Sequence, residues 1–512
     1  MKRTRHNAPE DSIDAALNGT GTTVSTAQGA VQGSIHDGVL AFFDIPYAAP
    51  PVGAGRFSAP EPHLPWQGVR DATHQGPNAP QAERRLGSVD MSAYFGPGWI
   101  RGEDYLTVNI WTPRTSGEPL PVMVFVHGGG FVAGSTQSEL FDGTTFARDN
   151  VVLVTLNYRL GIHGFLDLPS APANRGMLDV IAALRWVRDN IGAFGGDPGR
   201  VTIFGQSAGA TIVGAILADP TAEGLFTRAI VQSGSGLGAF TPEQAAWVTG
   251  VAAEALGIEP TVGAFAAVSD EDLVAVMPRL SGIDLRTATD GDPLIGLSPF
   301  SVVLDQQPAE AVAAGGGSAV DLMVGTTAEE GNLYLAPFGN LSTSTQADLQ
   351  AAAERSHHDP ERLVEIYRKA RPGASFGELR SAIMGAALFE AGSWRLADAH
   401  AAGSTSATYA YLFAWRSDSL GGELGAAHTM ELPFVFDVIG LPRLHGSEAL
   451  LGSKQPPADL AARTHAAWVA FATTGDPGWS RYDTRRRATL VMDADAWDVQ
   501  EDPRGSERIA WR

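Results

Sequence analysis

The chain has 512 residues, 44% hydrophobic and 18% charged, an ordinary globular mixture that excludes wholesale disorder. The 36 basic and 57 acidic residues give a formal net charge of −21, and such an acidic surface argues against nucleic acid as a partner. The sequence contains no cysteine, which excludes disulfides, thiolate nucleophiles and cysteine-ligated metal centres.

The first segment, residues 1–20, has a basic start with no apolar run behind it, so it does not match a secretory signal. We expect a flexible tail there, followed by a single α/β domain over residues 21–512. No stretch of the chain approaches about 18 uninterrupted apolar residues, so no membrane-spanning helix is predicted. We expect a cytoplasmic protein.

The sequence of residues 24–100 predicts short strands followed by loops. Short alternating segments over residues 24–48 are typical of a β-meander, and residues 49–100 are rich in Pro and Gly. Mostly apolar runs without alternation follow at residues 120–126, 151–156, 201–204, 229–232, 322–324 and 409–414. Such runs predict strands buried on both faces, as in a parallel sheet covered by helices.

Helical segments lie between and after these strands. Residues 177–187 have apolar residues at helical spacing, which completes a strand–helix–strand pattern. Residues 241–290 and 341–400, rich in Ala, Glu and Leu, predict helical insertions that cap the sheet, and residues 461–472 predict a further helix. The sequence therefore predicts one large α/β domain with a mostly parallel sheet and helices on both faces.

A glycine motif ends the first apolar run, in His127-Gly128-Gly129-Gly130. Glycines let a backbone approach a ligand closely and point its N–H groups at a developing oxyanion, and the motif matches the corresponding loop of α/β-hydrolases. A flexible glycine turn is the alternative interpretation. We interpret His127 itself as a structural residue that orients this loop.

The strongest local signal is the G-x-S-x-G motif Gly205-Gln206-Ser207-Ala208-Gly209, directly after a buried strand and directly before a helical run. This context is what a nucleophile elbow requires, because the serine lies on a strained turn that needs small residues two positions away on either side. The helix N-terminus behind the serine favours negative charge. An ordinary Gly-rich turn is the alternative interpretation.

A serine nucleophile needs a histidine base, and the base needs a carboxylate that holds its tautomer. In α/β-hydrolases the acid and then the histidine follow the serine along the chain. Glu329 and Glu330 both lie just after the strand at residues 322–324, and spacing alone does not choose between them. Of the 12 histidines, His428 lies in a small-residue loop after the run at residues 409–414, where this fold places the base. A solvated loop histidine is the alternative.

The ordered motifs resemble those of the type-B carboxylesterase/lipase family, which includes bacterial para-nitrobenzyl esterases and the cholinesterases. The resemblance extends from about residue 22 to about residue 511. Besides the two glycine motifs, it is carried by GEDYLTVNIW at residues 102–111, NYRLG at 157–161, NRGMLD at 174–179 and NIGAFGGDP at 190–198.

The resemblance implies an α/β-hydrolase fold and assigns the ambiguous residues. The acid of the family precedes Gly in a G-x-x-x-x-E-G pattern that residues 325–331 fit, which implies Glu330. The base belongs to an H-x-x-E-x-x-F-V-F-like segment that residues 428–436 fit, which implies His428. The oxyanion donors carry over as three backbone N–H groups, those of Gly129, Gly130 and Ala208.

Two residues depart from the family pattern. Gln206 replaces the Glu that is common in cholinesterase elbows, and Tyr105 stands where the family usually has a disulfide cysteine. The loop at Tyr105 must then be held by packing. The resemblance implies no metal and no cofactor.

We therefore expect a serine hydrolase that cleaves small-molecule carboxylic esters through an acyl-enzyme, with Ser207 as nucleophile, His428 as base and Glu330 as acid. An amide or carbamate hydrolase on the same triad is the nearer alternative, because nothing in the sequence separates these reactions. A non-catalytic binding protein of the same family is the third possibility, and the presence of all three triad residues argues against it.

Overall fold

The computed structural model describes residues 22–511, so the predicted tail at residues 1–20 lies outside the described part of the chain. The strands are β1 (Thr23–Ser25), β2 (Ala30–Gln32), β3 (Ser34–His36), β4 (Val39–Pro46), β5 (Val69–Asp71), β6 (Thr107–Thr112), β7 (Leu120–Val126), β8 (Val152–Leu156), β9 (Gly196–Gln206), β10 (Arg228–Gln232), β11 (Asp321–Thr327), β12 (Thr408–Phe413), β13 (Ala488–Met492) and β14 (Trp497–Glu501).

Eleven strands form one sheet in the order β14-β13-β12-β11-β10-β9-β7-β8-β6-β4-β3. The seven strands from β13 to β8 in this order pair in parallel, which confirms the predicted parallel centre. The pairs at both edges are antiparallel. Four strands were not predicted. Strand β5 has three residues and lies in a segment predicted to be mostly loop, and β6 mixes polar and apolar residues. Strand β13 is a short run of five residues, and β14 is mostly exposed and lacks an apolar run.

The helices are α1 (Ser92–Phe95), α2 (Thr144–Arg148), α3 (Gly161–Phe165), α4 (Arg175–Asn190), α5 (Ala208–Leu217), α6 (Pro242–Leu256), α7 (Val262–Ala266), α8 (Asp270–Val276), α9 (Pro308–Ala313), α10 (Asn332–Leu335), α11 (Asn340–Thr343), α12 (Gln346–Ser356), α13 (Pro360–Ala370), α14 (Phe376–Gly385), α15 (Ala391–Gly403), α16 (Leu432–Val435), α17 (Ala458–Thr474) and α18 (Gly505–Ala510). Both predicted helical insertions are confirmed, by α6–α8 and by α11–α15. Between residues 22 and 511, no helix has both the length and the apolar character needed to cross a bilayer.

Alternate side chains of β7 enter two different cores, because successive residues of a strand point to opposite faces of the sheet. Val122, Val124 and Val126 pack in one core, which also contains residues of α4 and α5. Met123 and Phe125 pack in the other, which contains residues of α2 and α17. Helices therefore cover both faces of the sheet, as predicted.

Two motif segments that carry the family resemblance meet in a buried ion pair. Arg159 donates from Nε and Nη2 to the two oxygens of Asp179, at 2.8 and 2.6 Å. Loss of one partner of such a pair leaves a buried charge and costs about 3–5 kcal/mol. The pair holds the loop after β8 against α4, so these two segments serve the fold rather than the chemistry.

Four neighbouring parallel strands, β11, β10, β9 and β7, end at the same edge of the sheet. Ligands bind at this edge in open α/β sheets because the loops that follow several strands meet there. The loop after β7 carries the three glycines, and the turn after β9 carries Ser207. The two glutamates follow β11. The topology of the sheet therefore brings the glycine loop, Ser207 and the two glutamates to one edge.

Candidate active site

Ser207 lies on a strained turn between β9 and α5. Its backbone has φ 58° and ψ −126°, in a region that residues with a side chain rarely adopt. A Cβ atom on Gly205 would lie 2.7 Å from the carbonyl carbon of Gly209, and one on Gly209 would lie 2.1 Å from the Val126 oxygen. Both glycines of the motif are therefore required by close packing, as the elbow interpretation predicts.

The Ser207 side chain faces a cleft of about 660 Å³ and is 8% exposed. Its backbone N–H donates to the carbonyl of Gln232, at the end of the neighbouring strand β10, at 2.9 Å. Its hydroxyl makes no hydrogen bond with another residue between 22 and 511. The cleft lining is mostly apolar and aromatic, and it also contains His428 and the glycine loop.

Glu330 and His428 form a buried pair at the wall of this cleft. The Nδ1 atom of His428 lies 2.5 Å from Oε2 of Glu330. The other carboxylate oxygen accepts two hydrogen bonds, from the Ser233 hydroxyl at 2.6 Å and from the Thr327 N–H at 2.7 Å. Hydrogen bonds from Ser233 and Thr327 therefore hold the carboxylate, and the carboxylate in turn holds the imidazole ring.

Glu329 points elsewhere. Its carboxylate forms an ion pair with Arg416 and accepts a hydrogen bond from the Ala426 N–H at 2.8 Å. Of the two adjacent glutamates, only Glu330 contacts His428, which is the residue that the family resemblance implies.

The second ring nitrogen of His428 faces Gln206. The two Nε2 atoms are 3.2 Å apart, and the amide oxygen of Gln206 accepts a hydrogen bond from the Tyr94 hydroxyl at 2.7 Å. An amide nitrogen can only donate, so Nε2 of His428 is the acceptor and the ring proton lies on Nδ1, toward Glu330. This is the neutral tautomer that a general base needs. The ring of Phe389 stacks on the imidazole with centroids 4.1 Å apart.

The three predicted oxyanion donors border the cleft beside Ser207. The N–H groups of Gly129, Gly130 and Ala208 have no acceptor among residues 22–511. Gly129 has φ 114°, and a Cβ atom there would lie 2.0 Å from the Ala133 oxygen, so only glycine fits. Arg84 donates to the Gly129 carbonyl at 2.8 Å, and the same peptide group carries the N–H of Gly130.

His127 lies under this loop and has the contacts of a structural residue. Its Nδ1 atom is 2.8 Å from the Gly128 carbonyl oxygen, and its ring stacks on Tyr158 with centroids 4.5 Å apart. Burial lowers the pKa of His127 to about 4, so the ring is neutral at pH 7.

A second carboxyl group lies close to the pair. Glu431 is buried, and its Oε1 accepts a hydrogen bond from the Gln232 amide at 3.2 Å. Burial, and then the charge of Glu330, raises the pKa of Glu431 to about 8. Glu431 is therefore mostly protonated at pH 7, so the Glu330 carboxylate has no second full negative charge beside it.

Sequence analysis did not identify Ser233, Phe389 or Arg84 as part of the site. Ser233 could have been found, because it directly follows β10 and so lies beside the residues that follow β9 and β11. Phe389 lies in a helical insertion whose side-chain directions the sequence does not reveal. Arg84 lies in a segment whose only visible property is that it predicts a loop.

The acid is also supported from a distant part of the chain. Arg504 donates to Oε1 of Glu390 at 2.5 Å and to the carbonyl oxygen of Ala328. Glu390 follows the residue that stacks on His428, and Ala328 lies two residues before the acid. One arginine therefore holds both the acid loop and the π-helical turn Ala386–Glu390, which joins α14 to α15 and carries Phe389.

Comparisons with known proteins agree over nearly the whole chain. A family model described as the carboxylesterase family matches residues 20–504. The para-nitrobenzyl esterase of Bacillus subtilis (strain 168) is 37% identical over 501 residues, which cover 95% of this chain and 97% of that protein. A phenmedipham hydrolase of Pseudarthrobacter oxydans is 32% identical over 502 residues, which cover 95% of this chain and 98% of that protein. The crystal structure of a Geobacillus stearothermophilus carboxylesterase superposes with a TM-score of 0.83 at 36% identity, covering 96% of this chain and 100% of that one.

Proposed function

The chain belongs to the carboxylesterase family, and we propose that Ser207, His428 and Glu330 are the residues with which it cleaves esters. It is a carboxylic ester hydrolase with the α/β-hydrolase fold, and its substrates are small-molecule esters. The observation that carries the residue assignment is the 2.5 Å contact of His428 with Glu330 at the wall of the cleft that holds Ser207.

The reaction begins when the Ser207 hydroxyl attacks the ester carbonyl and His428 Nε2 takes its proton. The Gln206 amide gives up its contact with Nε2 at this step. Glu330 stabilises the imidazolium that forms. The negative charge that develops on the carbonyl oxygen is stabilised by three backbone N–H groups, those of Gly129, Gly130 and Ala208.

The tetrahedral intermediate collapses when its bond to the alcohol oxygen breaks and His428 returns the proton to that oxygen. The alcohol leaves and the acyl group stays on Ser207 as an ester. Water then attacks the acyl-enzyme with the same proton transfers through His428, and the carboxylic acid is released.

Amides and carbamates are the second substrate class for the same residues. Both present a carbonyl to the same nucleophile and oxyanion donors. The amine of an amide is a poorer leaving group than an alkoxide and needs more assistance from His428, and the nitrogen of a carbamate makes its carbonyl less electrophilic than that of an ester. The proposal therefore ranks esters first. Comparing kcat/KM for an ester, a carbamate and an amide of similar size, such as 4-nitrophenyl acetate, 4-nitrophenyl dimethylcarbamate and 4-nitroacetanilide, tests this order.

We extend the proposal to the organisation and setting of the chain. A single catalytic domain at residues 21–512 is supported by the eleven-stranded sheet, whose strands come from residues 34–501. The net charge of −21 supports the absence of a nucleic-acid partner, and the lack of cysteine fits a reducing compartment such as the cytoplasm.

The test uses purified enzyme, 4-nitrophenyl acetate and a fluorophosphonate probe that reacts with activated serines. The wild-type protein should hydrolyse the ester and be labelled in the peptide that contains Ser207. The variant Ser207→Ala should do neither while its thermal unfolding midpoint stays near that of the wild type. Labelling at another serine, or residual turnover sensitive to the probe, would contradict the assignment.

A further inference from the structure

One permanently charged side chain borders the catalytic cleft within residues 22–511. Arg84 lines this cleft together with Ser207, and the remaining lining is apolar or neutral apart from the titratable His428. The same guanidinium also borders a neighbouring cleft of about 850 Å³. Arg84 therefore lies where a substrate in the catalytic cleft would extend into a second, adjoining space.

The described part of the chain supplies no counter-ion to Arg84. The charged and ionisable groups that act on it there are the hydroxyls of Tyr334 and Tyr94, and burial lowers its pKa from the ordinary arginine value. Its other contacts are the Gly129 carbonyl and the face of Phe95, whose ring centroid is 5.5 Å from the guanidinium carbon. Arg84 is only partly exposed, so its charge is incompletely hydrated, and residues 22–511 provide no carboxylate to pair with it.

The adjacent residue, Arg85, has the usual environment of a surface arginine, an ion pair with a carboxylate. Arg85 is exposed and borders the neighbouring cleft but not the catalytic one, and its charge is paired with Glu83 at 2.7 Å. The two adjacent arginines thus differ in what they contact: Arg85 is paired with a carboxylate at the surface, and Arg84 borders the cleft that holds Ser207 with no carboxylate partner among residues 22–511.

Arg84 also contacts the loop that carries two of the proposed oxyanion donors. Its Nη1 atom is 2.8 Å from the Gly129 oxygen, and a Cβ atom built on Gly130 would lie 2.9 Å from Nη1. The guanidinium therefore lies against the loop whose N–H groups are the proposed oxyanion donors. A guanidinium has five N–H donors in a planar fork that matches a carboxylate, and only one of them is occupied by the loop.

We propose that Arg84 binds an anionic group of the substrate, so that this enzyme prefers esters that carry a carboxylate within a few bonds of the scissile carbonyl. The inference rests on the proposed function of Ser207, His428 and Glu330. The carboxylate belongs either to the acyl part, as in a half-ester of a dicarboxylic acid, or to the alcohol part, as in an acylated hydroxybenzoate. The acidic surface repels such anions at long range, but salt screens this repulsion beyond about 8–10 Å, and the local cation decides binding in the cleft.

The experiment compares two pairs of esters in which an isopropyl group replaces the carboxylate. The acyl pair is monoethyl glutarate and ethyl 5-methylhexanoate, followed by ethanol release. The alcohol pair is 4-acetoxybenzoate and 4-isopropylphenyl acetate, followed by phenol release. The ratio of kcat/KM for the anionic and the neutral ester is measured in the wild type, Arg84→Gln, Arg84→Lys and the matched control Arg85→Gln. The ratio is used because replacing Arg84 also removes its hydrogen bond to Gly129. That loss should lower kcat/KM for both esters of a pair and therefore cancels in the ratio.

We expect Arg84→Gln to lower this ratio at least about tenfold in one of the two pairs, since a charge-assisted hydrogen bond is lost. The pair that responds identifies the side of the substrate that Arg84 contacts. Arg84→Lys should retain part of the preference, and Arg85→Gln should leave it unchanged. Fluorophosphonate labelling of Ser207 verifies that each variant is folded.

Equal ratios in the wild type and Arg84→Gln for both pairs would overturn the inference while leaving the proposed function intact. A wild-type protein that hydrolyses neither neutral ester and is not labelled by the probe would instead overturn the proposed function itself.

Discussion

His428 presents one ring nitrogen to Glu330 and the other to the cleft, and the two sides differ in how completely they are held. On the Nδ1 side, Glu330 is buried and receives hydrogen bonds from Ser233, Thr327 and the imidazole. On the Nε2 side, the single neighbour within hydrogen-bond distance among residues 22–511 is the Gln206 amide, and the Ser207 hydroxyl is unbonded.

The difference separates two tasks of the same ring. The acid side fixes the tautomer and the direction of the imidazole before any substrate arrives, which removes reorganisation from the reaction. The nucleophile side stays adaptable, because hydrogen bonds of catalytic residues often form only in the complex with substrate. We therefore expect changes on the acid side to act mainly on kcat, and changes on the Nε2 side to alter the pH dependence.

The largest effect on kcat should come from Glu330→Gln, which removes the carboxylate that holds Nδ1 of His428. An amide at this position can donate to Nδ1, which shifts the ring proton to Nε2 and removes the acceptor for the serine proton. We expect kcat to fall by about 10²–10⁴. The matched control is Glu329→Gln, which should change kcat by less than about threefold because its carboxylate pairs with Arg416 at the surface. Single-turnover kinetics of both variants check this, and reversed effects would place the acid one residue earlier.

A smaller effect on activity should come from Gln206→Glu, which places a negative charge beside Nε2 of His428. A carboxylate beside Nε2 favours the imidazolium, so the rise of kcat/KM with pH should move to higher pH by about one unit. The variant should then be slower than the wild type at the acidic end of the profile and should approach the wild-type rate at the alkaline end. Full pH profiles of both proteins test this. An unchanged midpoint would show that the residue at position 206 does not act on the base.

The smallest kinetic effect should come from Glu431→Gln, which should instead change how the free energy of unfolding depends on pH. The pKa of Glu431 is about 8 in the folded chain against 4.5 in a free side chain, so the folded state keeps a proton that the unfolded state loses. This group stabilises the fold fully below pH 4.5, and its contribution declines as the pH rises to 8.

The amide in Glu431→Gln cannot ionise, so the variant should lack this decline. Urea unfolding midpoints at pH 5, 6, 7, 8 and 9 should fall less steeply for the variant than for the wild type, with kcat nearly unchanged. Parallel slopes for the two proteins would mean that Glu431 is ionised in the folded state.

Much of the fold and of the candidate site was predictable because it depends on patterns of residues that are close together in the sequence. Buried parallel strands appear as continuous apolar runs, and the elbow and the glycine loop need glycine at fixed positions, which Gly205, Gly209 and Gly129 satisfy through close contacts. Which of the two adjacent glutamates faces the histidine was not local information. It depends on how residues 325–331 and 428–436 pack, and only the family resemblance indicated Glu330.

The unpredicted features share another property, namely that long-range contacts create them. Arg84 reaches Gly129 across 45 residues, and Ser233 reaches Glu330 across 97. Strand β13 is too short to be recognised and β14 has too few apolar residues, and the two are stabilised by pairing with β12 and with each other. The catalytic roles of Ser207, Glu330 and His428 stay predictions until the variants above are measured.

The contact of Arg504 with Ala328 has a consequence for how the enzyme is made in the cell. The two residues are 176 positions apart, and a ribosome that adds about 5–20 residues per second needs roughly 9–35 s to synthesise the chain between them. During this interval Ser207 and the acid loop have already been synthesised, but the arginine that holds the loop has not. A nascent chain therefore passes through a period in which the residues of the catalytic machinery exist without their support, and this is the stage at which a molecular chaperone would have exposed surface to bind.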